Sequence, residues 1–269
     1  MRRIHTLFRQ AHAASGMGTR PPLLFVHGGY MQSGCWEVNF LPWFQQRGYD
    51  CHAIDLSGHG ASEGRAELNS FGIDDYVADV SQLAAQLPAP PVLIGHSMGA
   101  IVVQRYLEQP LEVAPAAAIA LLAPVPPTGL LGASIQLNHK QPDFLREAAR
   151  AVRGEYTRNT VRVMREVYFS PDVSDAEFVA FPALVQDESM QVVTELTALP
   201  FSLPRRRRKL PALVMGGSMD ALFPAHMLHF TASGWNAETC VIPRAGHMLM
   251  MDPQWTVAAE KIADWLDRL

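Results

Sequence analysis

Runs of residues that are apolar without alternation, each followed by a stretch of helical spacing, leave few folds open to a chain. PPLLFVHGG (21–29), DCHAIDLSGHG (50–60), PPVLIGHS (90–97) and AAAIALLAPV (116–125) are such runs. WEVNFLPWFQQRGY (36–49), IDDYVADVSQLAAQL (73–87) and MGAIVVQRYLEQ (98–109) lie between them. In the second of these helices Tyr76, Val77, Val80, Leu83, Ala84 and Leu87 fall on one face. A strand with no polar side must be buried on both sides. Strands of that kind alternating with amphipathic helices imply an α/β protein, its mostly parallel central sheet covered by helices on both faces.

The alternation stops after Pro124. From Pro126 to Arg208 the sequence reads as mostly helical, with helices predicted over 143–153, 159–169, 175–185 and 188–199. VPPTG leads into this block and SLPRRRRKLP leads out of it. The strand pattern resumes in KLPALVMGGSMD (209–220), followed by a helix near 225–234, AETCVIPRAGH (237–247) and a last helix over 255–269. The expectation is one α/β core, residues 1–125 and 209–269, interrupted by a helical insertion at 126–208. A length of 269 residues, 48% of them hydrophobic and 18% charged, suits a single domain with a sizeable core. The basic run Arg205 to Lys209 reads as a solvated hinge in preference to a grip on an anionic substrate.

A net charge of −4 gives no general pull toward nucleic acid or an anionic membrane. Cys35, Cys51 and Cys240 are few, scattered and without metal-ligand spacing, as in a reduced cytoplasmic protein. The basic start MRR is followed by IHTLFRQ, which has no apolar core, so a signal peptide is not expected. The longest apolar run, Ala114 to Val125, is too short to span a bilayer and holds two prolines. A monomer or homodimer is expected.

The chemistry centres on Gly95-His96-Ser97-Met98-Gly99, a G-x-S-x-G between a predicted strand and a predicted helix. A sharp turn there strains the central residue and aims its side chain over the sheet edge. Gly95 and Gly99, lacking Cβ, let strand and helix approach closely. The helix N-terminus behind Ser97 adds free N–H donors and a positive dipole end. A serine hydroxyl needs a base, and His247 in IPRAGHMLM follows the predicted last strand. The base needs a carboxylate, and Asp220 ends the preceding strand in VMGGSMD. Each has a plainer reading: an N-cap for Ser97, a helix cap for Asp220, a surface loop residue for His247. A developing oxyanion needs donors, for which the Met98 N–H and an N–H from VHGGY (26–30) are the candidates: Gly29 first, Tyr30 second. His27, His59 and His96 read as structural. His226 and His229, three apart on a helix, lack a third ligand, so neither a metal nor a cofactor is expected.

With these residues in place the chain resembles the α/β-hydrolase superfamily, in its capped serine-hydrolase, esterase-like branch. FVHGG, DLSGHGAS (55–62), GHSMG, MGGSMD and AGH match that family's recurrent stations, in order, over residues 22–253. The resemblance implies an eight-strand-like sheet, here lacking its first strand because only some twenty residues precede PPLLFVHGG. It also implies that 126–208 is a helical cap. Ala100 stands where relatives often have a third glycine, and Ser57 where many have arginine.

The expected activity is hydrolysis of a carboxylic ester or related acyl bond through an acyl-enzyme. C–C bond cleavage of the meta-cleavage-product type, and a ligand-binding receptor or scaffold of the same fold, are the alternatives; perhydrolysis is a side activity of such sites. A serine at the elbow argues against the dehalogenase and epoxide-hydrolase branches, which place aspartate there. An apolar small-molecule substrate is suggested by Met164, Phe169, Phe178, Phe181, Met190, Met248, Met250 and Met251, residues of a kind more often core than pocket. Tyr30, Phe181, Met190 and Met248 are the candidate substrate contacts.

Overall fold

A computed structural model describes residues 2–12, 20–198 and 209–269. Its sheet has seven strands among these residues: β1 (Thr6–Arg9), β2 (Leu23–Val26), β3 (Cys51–Ile54), β4 (Val92–His96), β5 (Ala118–Leu122), β6 (Ala212–Gly217) and β7 (Glu238–Ile242). They lie in the order β1-β3-β2-β4-β5-β6-β7. All neighbours run parallel except β1, which pairs antiparallel with β3 at the edge. The strand order turns back at β2, which lies between β3 and β4. In open α/β sheets a ligand crevice forms beyond the carboxyl ends of the strands at such a reversal.

Seven strands among the described residues agree with an eight-strand-like sheet that lacks its first strand, although the sequence reading did not pick out Thr6–Arg9 as a strand. Thr6–Arg9 fits inside the short N-terminal segment because an antiparallel edge strand needs no crossover helix before it. It is half-buried to exposed, so it carries none of the apolar continuity that marks the inner strands. The inner strands β2, β4 and β5 are buried throughout. Their alternate residues feed two cores. Leu23 and Phe25 pack with Trp36, Phe40 and Trp265 on one face, while Leu24 and Val26 pack with Tyr76, Val80 and Val102 on the other.

Helical boundaries depart from the sequence reading where local chemistry intervenes. The single helix expected over 36–49 is two, Gly34–Glu37 and Phe40–Gln46, broken at Asn39, whose φ is −138°. The helix expected over 175–185 is likewise two short ones, Asp175–Phe178 and Phe181–Leu184, with Pro182 in the first turn of the second. A helix at Leu130–Lys140 was not anticipated. Its N-cap is Gly129 and it buries only Ala133 and Leu137, so its apolar face is narrow. Between β5 and β6 every described element is helical. The hinge reading of Arg205 to Lys209 lies, but for Lys209, outside the described residues. No helix among them is long and apolar enough to cross a membrane.

Ser57 is reached by an arginine from the N-terminal segment. Arg2 Nε donates to Ser57 Oγ (3.0 Å), and the Ser57 N–H and hydroxyl both donate to the buried Asp79 carboxylate (2.7 and 2.9 Å). Burial nevertheless raises the Asp79 carboxyl to about 6, partly offset by the Ser57 bonds. A folded-state value above the unfolded one favours the folded state at low pH, and that contribution is lost as pH rises through about 6. Asp79→Asn should therefore gain on the parent, by on the order of 2–3 kcal/mol, between pH 4 and pH 7. Urea unfolding of both proteins at the two pH values checks this; a stability difference independent of pH would refute it.

Candidate active site

The carboxyl ends of β2, β4, β6 and β7 meet in register. Val26 pairs with Gly95, and Gly217 with Ile242. Ser97 follows β4 directly and opens the helix Met98–Tyr106. Its φ of 52° and ψ of −115° fall outside the regions open to most L-residues, a strain on the order of 1–3 kcal/mol that the surroundings must impose. They do so by contact. A Cβ on Gly95 would lie 2.5 Å from the Gly99 carbonyl oxygen. One on Gly99 would lie 2.4 Å from the carbonyl oxygens of both Val26 and His27. The Ser97 N–H donates to Leu122 C=O of the neighbouring strand (2.9 Å), which closes the turn against β5. Met98, as first helical residue, has an N–H with no partner inside its helix.

Asp220 and His247 approach from the other half of the sheet. Asp220 Oδ1 accepts the Leu222 and Phe223 N–H groups (2.8 and 2.9 Å), and Oδ2 faces His247 Nδ1 at 2.8 Å. One carboxylate thus closes the turn after β6 and holds a histidine; it does not cap the helical segment after Pro224, which has no side-chain cap. Since a carboxylate only accepts, His247 Nδ1 carries the proton and Nε2 is left to act as acceptor. His247 is 2% exposed, not a surface residue, and is enclosed by the rings of His96, Phe223 and Tyr168.

Its loop is held from two sides. Asp252 accepts the N–H groups of Gly246 (3.0 Å) and Ser170 (2.7 Å), tying the loop to the insertion. His96 Nε2–H donates to the His247 carbonyl (3.1 Å), tying it to β4. Burial, and next the His247 ring, push His96 well below the ordinary histidine value, so it is a neutral brace. His27 is a second. Its Nδ1–H donates to Gly28 C=O (2.8 Å) while Nε2 accepts the Leu56 N–H (3.2 Å). Burial, followed by the nearby His59, lowers it to about 4.

Ser97, His247, Gly29, Tyr30, Met98 and Met248 line one cavity of about 200 Å³. A larger cavity of about 530 Å³ adjoins it, sharing Gly29, Tyr30, Met31, Phe144, Leu145 and Tyr168, and extends under the insertion past Ala148, Val152, Met164 and Phe181. Two sequence expectations need correction. Met190 is 59% exposed on the first turn of its helix and lines neither cavity; Val193 and Leu196 of that helix do. The Tyr30 N–H, second choice as an oxyanion donor, is committed to Glu188 Oε2 at 3.3 Å. Phe169, Phe178, Met250 and Met251 are core residues. Sequence reasoning missed Glu188, Asp252 and Tyr168. Nothing in an acidic residue before a helix, or in a tyrosine at the end of one, marks it as part of a site.

A family model described as the Alpha/beta hydrolase family matches residues 23–259. A pyrethroid hydrolase of Sphingobium wenxiniae is 30% identical over 77 residues, 29% of this chain and 27% of that protein. The dihydrolipoyllysine-residue acetyltransferase component of an acetoin cleaving system from Pseudomonas putida is 28% identical over 265 residues. That match takes in 90% of this chain and 62% of the relative, so the chain spans less than two thirds of either protein. Among solved structures, a thermophilic esterase from Thermogutta terrifontis superposes with a TM-score of 0.74 at 18% identity, over 99% of this chain and 94% of the other. At that identity the likeness is one of fold.

The close contacts at the turn give a direct check. Gly99→Ala should cost on the order of 3 kcal/mol or more, because a Cβ there meets two backbone carbonyls. Gly132→Ala, where a Cβ would meet nothing within 4 Å, should be neutral or stabilise by up to about 1 kcal/mol. Equal denaturation midpoints for the two variants would show that the turn is loosely packed.

Proposed function

The chain belongs to the alpha/beta hydrolase family, and from that premise we propose that it is a serine hydrolase of apolar carboxylic esters, acting through Ser97, His247 and Asp220. The observation that carries this reading is the strained Ser97 sharing one cavity with a buried histidine whose tautomer is fixed by a carboxylate at 2.8 Å. In this reading Ser97 Oγ attacks the ester carbonyl and its proton passes to His247 Nε2. Asp220 stabilises the imidazolium that forms. Negative charge on the carbonyl oxygen is met by the N–H groups of Met98 and Gly29, aided by the helix N-terminus. Collapse expels the alcohol, which takes the proton from His247. A water activated by the same histidine then releases the acid from Ser97.

The helical segment 126–208 serves as the cap that selects the substrate. It supplies most of the wall of the larger cavity, and the triad lies outside it. That wall is mostly apolar, with Arg153 and Asp187 as its charged members, so binding energy comes largely from burial of hydrocarbon, about 0.8 kcal/mol per methylene.

Ser97→Ala should fold as the parent does and lose on the order of 10⁴-fold or more in kcat on a p-nitrophenyl ester. It should also no longer react with a fluorophosphonate probe. A panel of nitrophenyl esters run beside a meta-cleavage diketone assigns the bond cleaved; near-parental esterase activity in the variant would remove Ser97 from the mechanism. For the cap, Phe181→Ala is a poor probe. Phe181 is 1% exposed and packs on Phe169, Phe178 and Tyr168, so truncation costs stability as well as fit. Ala148→Phe, which fills the larger cavity, should lower kcat/KM for long acyl or alcohol chains at least tenfold and leave p-nitrophenyl acetate nearly unchanged. Equal losses on short and long esters would show that this cavity holds no part of the substrate.

A further inference from the structure

One stretch of the insertion takes both backbone groups of Tyr30. The Gln186 N–H donates to Tyr30 C=O (2.9 Å), and the Tyr30 N–H donates to Glu188 Oε2 (3.3 Å). The Gln186 side chain continues the seam, with Nε2 donating to Met31 C=O (2.7 Å) and Oε1 accepting the Gly60 N–H (3.2 Å). Tyr30 has a φ of 61°, in the left-handed region that a non-glycine residue keeps only when something outside it insists. The residue before it is Gly29, the proposed oxyanion donor. A Cβ on Gly29 would lie 3.4 Å from Glu188 Oε2 and 3.7 Å from Met98 Sδ, so the carboxylate is packed against the oxyanion turn.

A bare carboxylate there would oppose the negative charge that catalysis develops. His59 answers it. His59 Nδ1 lies 3.1 Å from Ser57 C=O, and Nε2 lies 3.2 Å from Glu188 Oε2. A carbonyl only accepts, so Nδ1 holds a proton; Nε2 comes to ion-pair distance of the carboxylate without a hydrogen bond to it, an approach that is favourable only if Nε2 is protonated too. Both side chains are almost wholly buried, and a buried charge is kept only when it is paired. The other oxygen, Oε1, accepts from Tyr76 Oη and the Ser189 N–H, each at 2.7 Å. Both carboxylate oxygens are thus engaged, and with His59 as the imidazolium the two side chains together carry no net charge.

We propose that Glu188, neutralised by His59, is a positioning residue: it pins Tyr30 so that the Gly29 N–H stays aimed at the oxyanion, and it makes that aim depend on the cap segment 186–189 being seated. The inference rests on the ester-hydrolase reading above. It differs from a structural role in what it moves. Alignment of an oxyanion donor acts on the transition state and hardly on ground-state binding, so kcat falls while KM holds.

The test uses the full chain and four proteins: parent, Glu188→Gln, His59→Gln and the double variant. Circular dichroism and thermal denaturation establish that each is folded. Each is assayed on p-nitrophenyl butyrate and titrated with phenylboronic acid, which forms a tetrahedral adduct on the serine. Glu188→Gln should lower kcat roughly 10- to 100-fold with KM within about threefold, and weaken boronate binding by a similar factor. His59→Gln leaves the carboxylate unpaired beside the oxyanion and should be the least active. The double variant, freed of that charge, should be more active than His59→Gln alone, an order that loss of packing does not produce. Parental kcat and boronate affinity in Glu188→Gln, or a double variant no better than His59→Gln, would overturn the proposal while leaving the esterase reading intact. A parent that hydrolyses no ester and takes no fluorophosphonate would overturn both.

Discussion

The rest of the site depends on how closely one helix is pressed to the sheet. The helix Met98–Tyr106 comes so near the ends of β2 and β4 that neither Gly95 nor Gly99 has space for a methyl group. This contact forces Ser97 into a backbone conformation that it would not take in an open turn. The strain is small beside the burial that imposes it. Ile101, Val102 and Val103 of this helix are all buried, and burial of a side chain of that size contributes roughly 1.5–3 kcal/mol. Core packing thus holds the serine in place, and the hydroxyl itself needs no bond to keep it there.

Histidine chemistry around this turn shows how environment divides one residue type among different tasks. His27 and His96 are fully enclosed, each bonded to a carbonyl through one nitrogen, and burial keeps them neutral as braces. His59 is just as enclosed but lies 3.2 Å from a carboxylate oxygen, the place of the counter-ion we propose. Burial works to raise the Glu188 carboxyl, yet His59, Tyr76 and the Ser189 N–H together hold it below its ordinary value. His247 has its carboxylate on Nδ1 and a cavity beside it. The difference among the four lies in their partners.

The insertion is joined to the core at the places that matter for chemistry. Ser170 shares Asp252 with the His247 loop, Met248 N–H donates to Tyr168 C=O (2.9 Å), and Gln186 and Glu188 hold Tyr30. These polar seams tie the insertion to the core loops, while its lining of the larger cavity is mostly apolar. The two adjoining cavities follow from the same layout, the smaller at the sheet edge and the larger among the helices.

The sequence by itself determined the layered α/β architecture, the interruption by helices after Pro124, and the candidates Ser97, Asp220 and His247. These are legible because they rest on local rules: apolar continuity of buried strands, helical spacing, and glycines where a Cβ has no space. It did not disclose β1, whose residues are half exposed and whose pairing with β3 spans some forty-five positions. Nor did it show that Met190 turns outward, or that Glu188 and His59, 129 positions apart, form a buried pair behind Tyr30. Those facts depend on which loops the sheet brings together. A side chain's charge partner and its burial are set by neighbours distant in the chain, and only the tertiary structure decides them.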